Sequence, residues 1–469
     1  MTFLSFKRAR IVRSCWLDEG GRRLDCNPYM SGALEARDAL NRLDVPKERL
    51  CDVTERIFHA GREGRLWVDD PKYGVPFLGS SDILAADLSA MPLIAKTQVE
   101  RNPLFTLGEK WTLITRSGTI GRMAFVRPDM AGMACSEHVM RVVPNPARIP
   151  PGYLYAFLSS RYGVPVIVSG TYGAIIQHIE PEHVAKIEIP RFDSAFELKI
   201  DFAIQRAAEL RTLFQRNLDL STQRLLQYAG LEDCPPHKWR QLSNECGFEA
   251  QISIGHTLRA ANYSPKVSKL LAEVRKAGSV SLGKICENGQ LGTGARFKRI
   301  DCEPSEGVCL VGQKQGFWMQ PEGRWITPRY APQGIFAANE SVLIASSGTL
   351  GGNEVYCRPI LVTGRWLDFA YTQHFLRVVS GDTRFSGAYL FAYLRSEIAF
   401  RALRSMSTGS KQQEIHGELV ANFPVPLLTD SLRCEVEELV RKAFRARDEA
   451  DHLETNAIKM LEEKIMGGN

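Results

Sequence analysis

The sequence predicts an α+β protein: two repeated mixed α/β domains, each followed by a long helix, with the two helices packed as an antiparallel coiled coil. Three observations predict it. HVMRVV at 138–143 returns as HFLRVV at 374–379, and the same offset of 236 residues pairs GYLYAFL at 152–158 with AYLFAYL at 388–394 and Ile189-Pro190 with Val425-Pro426. Inside each copy, helical stretches give way to short apolar runs broken by Gly and Pro, the mark of mixed α and β structure. At 429–466 the apolar residues fall on two heptad series, Val436, Ala443, Ala450, Ala457 and, three residues on, Leu439, Ala446, Leu453, Met460.

In chain order, the first domain occupies 1–191, a central helix 192–230, a linker and the start of the second repeat 231–256, the second domain 257–428 and a distal helix 429–466. Each domain opens with a helix, Ser31 to Leu43 and Val267 to Lys276. WTLITRSGTIGRMAFV at 111–126 and SVLIASSGTLGGNEVYC at 341–357 each read as strand, tight turn, strand, with Gly supplying positive φ and Ser and Thr bonding the local backbone. The two SGT-x-G turns are 230 residues apart, so length varies inside each repeat but not at its ends. Neither copy has the Lys-Ser/Thr pair of a phosphate loop.

The interiors from about Leu50 to Arg116 and from about Leu282 to Ala345 diverge, whereas the frame around them repeats. Asp193 and Ser194, and likewise Asp430 and Ser431, stand where helix N-caps are expected. In the central helix the seam reads Ile200, Ala207, Phe214 with Ala203 and Leu210, is interrupted at Asn217 and resumes at Leu218 and Leu225. Two such helices in one chain can bury their seams on each other.

At 469 residues the chain is long enough for two or three domains, and 44% hydrophobic with 24% charged residues is ordinary globular composition. A net charge of +6 and a pI near 8.7 permit an acidic partner without demanding one. Lys7 interrupts the N-terminal apolar residues and no stretch approaches the roughly 18 apolar residues of a membrane span, so a cytoplasmic protein is expected. Eleven scattered cysteines favour reduced thiols. Cys234, His237, Cys246 and His256 are too irregularly spaced to read as a zinc site, and no metal ligand is assigned.

The paired SGT-x-G turns, LGSSDI at 78–83 and STGSKQQEIHGELVANFPVPLL at 407–428, with its first-copy counterpart SGTYGAIIQHIEPEHVAKIEIPRF at 169–192, carry a resemblance. Over nearly its whole length the chain resembles the specificity (S) subunit of type I restriction–modification systems. One departure is Gly170-Thr171-Tyr172-Gly173, where the family more often shows a Gly-Ser step. The resemblance implies a DNA-binding subunit of an antiviral defence system with no catalysis and no cofactor of its own. Each domain would be a target recognition domain for one half of a bipartite double-stranded DNA sequence. The helices would serve as ruler and as docking surface for two methyltransferase (M) subunits, which bind S-adenosylmethionine and methylate adenine N6, and a motor-nuclease (R) subunit would be a further partner. A seam of about 30 residues spans roughly 45 Å, on the scale of the 34 to 36 Å or so between half-sites one turn apart.

The alternative is a self-contained DNA methyltransferase or nuclease. The Asn/Asp-Pro-Pro-aromatic tetrad of adenine methyltransferases is missing, and Asn102-Pro103-Leu104-Phe105 and Asn27-Pro28-Tyr29 both lack the second proline. Asp69-Asp70-Pro71-Lys72 is the only passable carboxylate run for a nuclease and reads better as a solvated loop. No catalytic residue is assigned. DNA contact needs cations for phosphate and forked or amide side chains for base edges. The candidates are Arg62, Arg65 and Lys72, with Tyr172 and Gln177 in the later loop, and in the second copy Arg296, Lys298, Arg299, Lys314, Arg324 and Arg329, with Lys411 and Gln412 in the matching loop.

Overall fold

The structure is a computed structural model, and it describes residues 14–19, 32–118, 120–169, 178–242, 247–252, 257–352 and 354–467. These form two compact units, one of the described residues up to Thr212 together with those from Glu449 onward, the other Leu213–Asp448. Helix and strand are mixed in both.

The strands of the first unit are β1 Lys47–Arg49, β2 Thr54–Phe58, β3 Trp67–Val68, β4 Gly74–Leu78, β5 Leu93–Ala95, β6 Thr112–Thr115, β7 Met123–Phe125, β8 Ala134–Cys135, β9 Val139–Pro144 and β10 Glu188–Pro190. The second unit contains β11 Ser279–Ser281, β12 Gln290–Thr293, β13 Val308–Val311, β14 Gly323–Ile326, β15 Val342–Ala345, β16 Ser347–Gly348, β17 Pro359–Leu361, β18 Ala370–Tyr371, β19 Phe375–Val379, β20 Ser407–Gly409, β21 Gln413–Ile415 and β22 Pro424–Pro426. One antiparallel sheet runs β2-β9-β6-β7 and its counterpart β12-β19-β15-β17, the same order. In each unit a parallel pair follows, β4 with β8 and β13 with β18, and a short antiparallel pair closes the domain, β1 with β10 and β11 with β22.

Strands β6, β9 and β15 are buried along their whole length, which is why they lack the polar alternation of a half-exposed strand. The shared motif residues take equivalent roles. Tyr153 donates its hydroxyl hydrogen to the Pro190 carbonyl at 2.5 Å, and Tyr389 does the same to Pro426 at 2.8 Å. These bonds tie the apolar helix of each unit, Pro151–Ser159 and Gly387–Leu394, to the strand that ends the domain.

The first turn is a hairpin, with β6 paired to β7 and both Gly118 and Gly121 at φ 75°. At Gly121 a Cβ would lie 2.5 Å from the Val168 side chain, so the position has neither the conformation nor the room for another residue. The second turn departs from the expectation. Ser347–Gly348 form β16 and pair with β21, and the return strand is β17 at Pro359–Leu361, beyond the segment expected to supply it. Its added residues lie between the turn and the return strand, where the offset between copies steps from 230 to 236. With more chain to turn in, Gly348 needs no positive φ.

The long helices are Ser194–Tyr228 and Asp430–Gly467, of 35 and 38 residues. Asp193 caps the first by accepting from the Phe196 amide at 2.9 Å. The second begins at Asp430 itself, which pairs with Arg433, so Asp430 and Ser431 are not its N-cap. Asn217 does not break the first helix. In the second helix Val436, Ala443, Ala450 and Ala457 are buried, but the other buried series lies four residues on, not three: Val440, Arg447, Glu454, Leu461. Of the expected series only Ala446 is buried, while Leu439, Leu453 and Met460 remain half-exposed. Two of the four buried residues are charged, so a search for apolar periodicity passes over the series.

Inside the first unit Arg211 donates to Asp451 at 3.0 Å and to Glu454, and the Tyr155 hydroxyl also donates to Glu454. Burial lowers the pKa of Arg211, but the charges of Glu454 and Asp451 outweigh burial and raise the pKa above the ordinary value. Inside the second unit the Phe214 ring meets Phe444 edge-on at 5.3 Å and Tyr228 bonds Glu435 at 2.8 Å, so these two segments run in opposite directions. Arg447, fully buried, stacks on Trp366 at 4.1 Å and donates to Thr363. Among the described residues no helix is long and apolar enough to cross a membrane.

Candidate nucleic-acid interface

In the first unit the segment between β2 and β3 carries His59, Arg62, Glu63 and Arg65 over a cavity of about 660 Å³. Arg116, Glu137, His138 and His178 complete its wall, with Trp67 of β3 beside them. Sheet closure assembles them. The Arg116 amide bonds the His138 carbonyl at 2.9 Å, and Ser117 bridges His178. The Arg116 guanidinium donates to the Ile179 carbonyl at 2.9 Å and to Glu180 at 2.5 Å, and Arg65 donates to Glu137 at 2.7 Å. Burial would raise the Glu137 carboxyl, but backbone and Arg65 hydrogen bonds outweigh it and hold the group below the usual range. His138 is pushed down by burial against the pull of Glu137.

Arg62 is exposed and, among the described residues, has no carboxylate in ion-pair range. Trp67 is fixed edge-on against Phe77 at 5.3 Å yet 48% exposed, which leaves indole surface available for stacking. Lys72 is exposed, its ammonium 5.4 Å from the Tyr73 ring, and Tyr73 is exposed as well. Tyr172 and Gln177 lie outside the described residues.

In the second unit the segment after β12 carries Arg296, Lys298 and Arg299. Because β12 stands in its sheet where β2 stands in the other, the two cationic segments leave equivalent strands. Arg296 and Lys298 are exposed, whereas Arg299 is half-buried and donates to Gln373 at 2.7 Å. Arg324 is clamped by Asp301 through two bonds of 2.6 and 2.7 Å, which hold the Asp301 carboxyl below its ordinary range. Arg329 lies over Tyr330 at 5.7 Å, and both are exposed.

Two further segments converge on Ser347. Gln313, beside the exposed Lys314, donates to the Ser347 carbonyl at 2.5 Å and accepts from its amide at 3.1 Å, while Gln412 donates to its hydroxyl at 2.7 Å. Lys411 and Gln412 sit in the turn between β20 and β21, where Gly409 at φ 93° reverses the chain. Arg259 braces that turn by donating to the Ser407 and Gly409 carbonyls at 3.3 and 3.1 Å.

Sequence reasoning missed the three cavity histidines, Arg116, Trp67, Gln313 and Gln373. His59, His138 and His178 are far apart in the chain and meet only through strand pairing, although His138 opens a repeated motif and was accessible on that ground. In LGSSDI, Asp82 accepts from the Gly79 amide at 2.8 Å and shapes a turn. Among the described residues no cluster of His, Cys, Asp and Glu is arranged to hold a metal, and Cys246 and His256 lie outside them.

No family model matches the chain, and no curated protein matches it. Solved structures do. The type I restriction–modification S subunit from M. genitalium is 11% identical at a TM-score of 0.36, the match covering 91% of this chain and 96% of that one. The HsdS subunit from Thermoanaerobacter tengcongensis is 14% identical at 0.28, covering 90% and 97%. A structure of a type I R-M system, solved for its complex assembly and conformational transition, is 15% identical at 0.27, covering 90% and 98%. Likeness at that level leaves the functional reading to this chain's own residues.

Proposed function

We propose that the chain is the DNA sequence-specificity subunit of a type I-like restriction–modification or methylation-linked defence system, non-catalytic by itself. One observation carries the reading: two sheets of identical strand order extend different cationic segments from equivalent strands, Arg62 and Arg65 from one, Arg296 and Lys298 from the other. A shared frame with divergent readers suits a bipartite target, one half to each domain. Lys and Arg meet phosphates, Arg forks onto guanine, and amides such as Gln412 suit adenine.

The long helices act in this reading as an antiparallel coiled-coil ruler and as the docking surface for two methyltransferase subunits, which carry S-adenosylmethionine, with a motor-nuclease subunit as a further partner. Leu198 and Phe202, one helical turn apart and exposed, supply apolar surface for such docking. The reading places the protein in the cytoplasm.

Incubating the purified chain with labelled S-adenosylmethionine and mixed duplex DNA tests it. Salt-sensitive DNA binding without methyl incorporation or cleavage is the expected result. Methyl transfer or cleavage by homogeneous protein would overturn it in favour of the self-contained enzyme.

A further inference from the structure

We propose that the cavity between β2 and β3 of the first unit receives a DNA phosphodiester on protonated histidines, so that binding there takes up protons. The proposal rests on the DNA-reading function above. Three of the nine histidines in the chain line this one cavity. The permanently charged groups facing them balance in number: Arg62, Arg65 and Arg116 against Glu63, Glu137 and Glu180. Two of those cations are already paired, Arg65 with Glu137 and Arg116 with Glu180. The sign of the cavity is therefore set by the histidines.

Their geometry makes protonation decisive. His59 Nδ1 lies 2.8 Å from the Ala60 carbonyl, and since a carbonyl only accepts, Nδ1 carries the hydrogen. In the neutral ring Nε2 is then a bare acceptor, 3.7 Å from Glu180, and it repels an oxyanion until it gains a proton. His138 Nδ1 is joined to Ser117 Oγ at 2.6 Å, while its Nε2 stands 3.4 Å from Glu137. Burial favours neutral His138 in the empty cavity, so an arriving phosphate oxygen draws the proton in.

Among the described residues, the second unit does not repeat the device. Its backbone bonds match, with the Ser346 amide on the His374 carbonyl and the Ile415 amide on Ser346, but Ser346 replaces Arg116 and Glu414 replaces His178. Proton uptake is thus confined to one half of the target.

Calorimetric titration of the full chain with a mixed-sequence duplex, in two buffers of different ionisation enthalpy, measures the uptake directly. Binding is expected to weaken as pH rises from 6 to 8, by up to about tenfold per pH unit for each linked proton. His59→Gln, whose ring bonds the neighbouring Ala60 carbonyl and lies near Glu180, should lose part of the uptake, and the triple Gln variant of His59, His138 and His178 the rest, whereas His374→Gln should keep all of it. Binding without uptake in the unaltered chain overturns the proposal whatever the variants do, and so does full uptake that persists in the His59 and triple variants. Inorganic phosphate alone producing the same uptake would assign the cavity to a small anion and overturn the DNA assignment. Failure to bind any duplex at any pH would instead overturn the DNA-reading function itself.

Discussion

Arg377 holds in the second unit the place that Arg141 holds in the first: each guanidinium, on a buried strand, donates to three backbone carbonyls. For Arg141 these are Cys135, Ser136 and Val139, and for Arg377 they are Gly334, Ile335 and Phe336. Burial lowers the pKa of both. Carbonyl dipoles, rather than a carboxylate, satisfy the charge.

Replacing either arginine by alanine strands three carbonyls, at about 1 to 3 kcal/mol for each group left unsatisfied. A loss of at least about 3 kcal/mol is expected in chemical denaturation. A loss below about 1 kcal/mol would mean that water takes over the carbonyls.

Arg211→Met leaves Asp451 and Glu454 buried without their cation. Removing one partner of a buried ion pair costs about 3 to 5 kcal/mol. The first unit should therefore unfold at distinctly lower denaturant, and an unchanged midpoint would show that the carboxylates are neutral.

Much of this was legible in the sequence. The repeat was, because identical contacts such as Tyr153 to Pro190 and Tyr389 to Pro426 impose identical residues at one spacing. The buried helical series through Arg447 and Glu454 was not, because pairing and stacking allow charges where periodicity looks for apolar side chains. Which cations stand free of a carboxylate was not legible, since only the fold shows that Asp301 holds Arg324 while Arg296 stands exposed. The histidine cavity was hidden by chain separation.

Asp301→Asn should strengthen DNA binding, because it releases Arg324 from its clamp. One additional phosphate contact steepens the slope of log affinity against log salt by about 0.9. Arg324→Ala alone should change little, and a marked loss of affinity in that variant would show that the clamped arginine already contacts DNA.

Phe202→Asp puts a charge on an exposed apolar site, 73% accessible, and should not unfold the chain. Size measurement with the methyltransferase partner should show a weakened complex, whereas an undiminished one would move docking to another surface.

The central claim is one domain per half-site, and mapping adenine methylation in cells carrying the methyltransferase partner tests it most directly. With the unaltered chain the account predicts a bipartite asymmetric motif that disappears when the chain is removed. With Arg296→Ala and Lys298→Ala together it predicts altered or weakened methylation at one half of the motif and an intact other half. Methylation that ignores the chain, or equal relaxation of both halves, would contradict it.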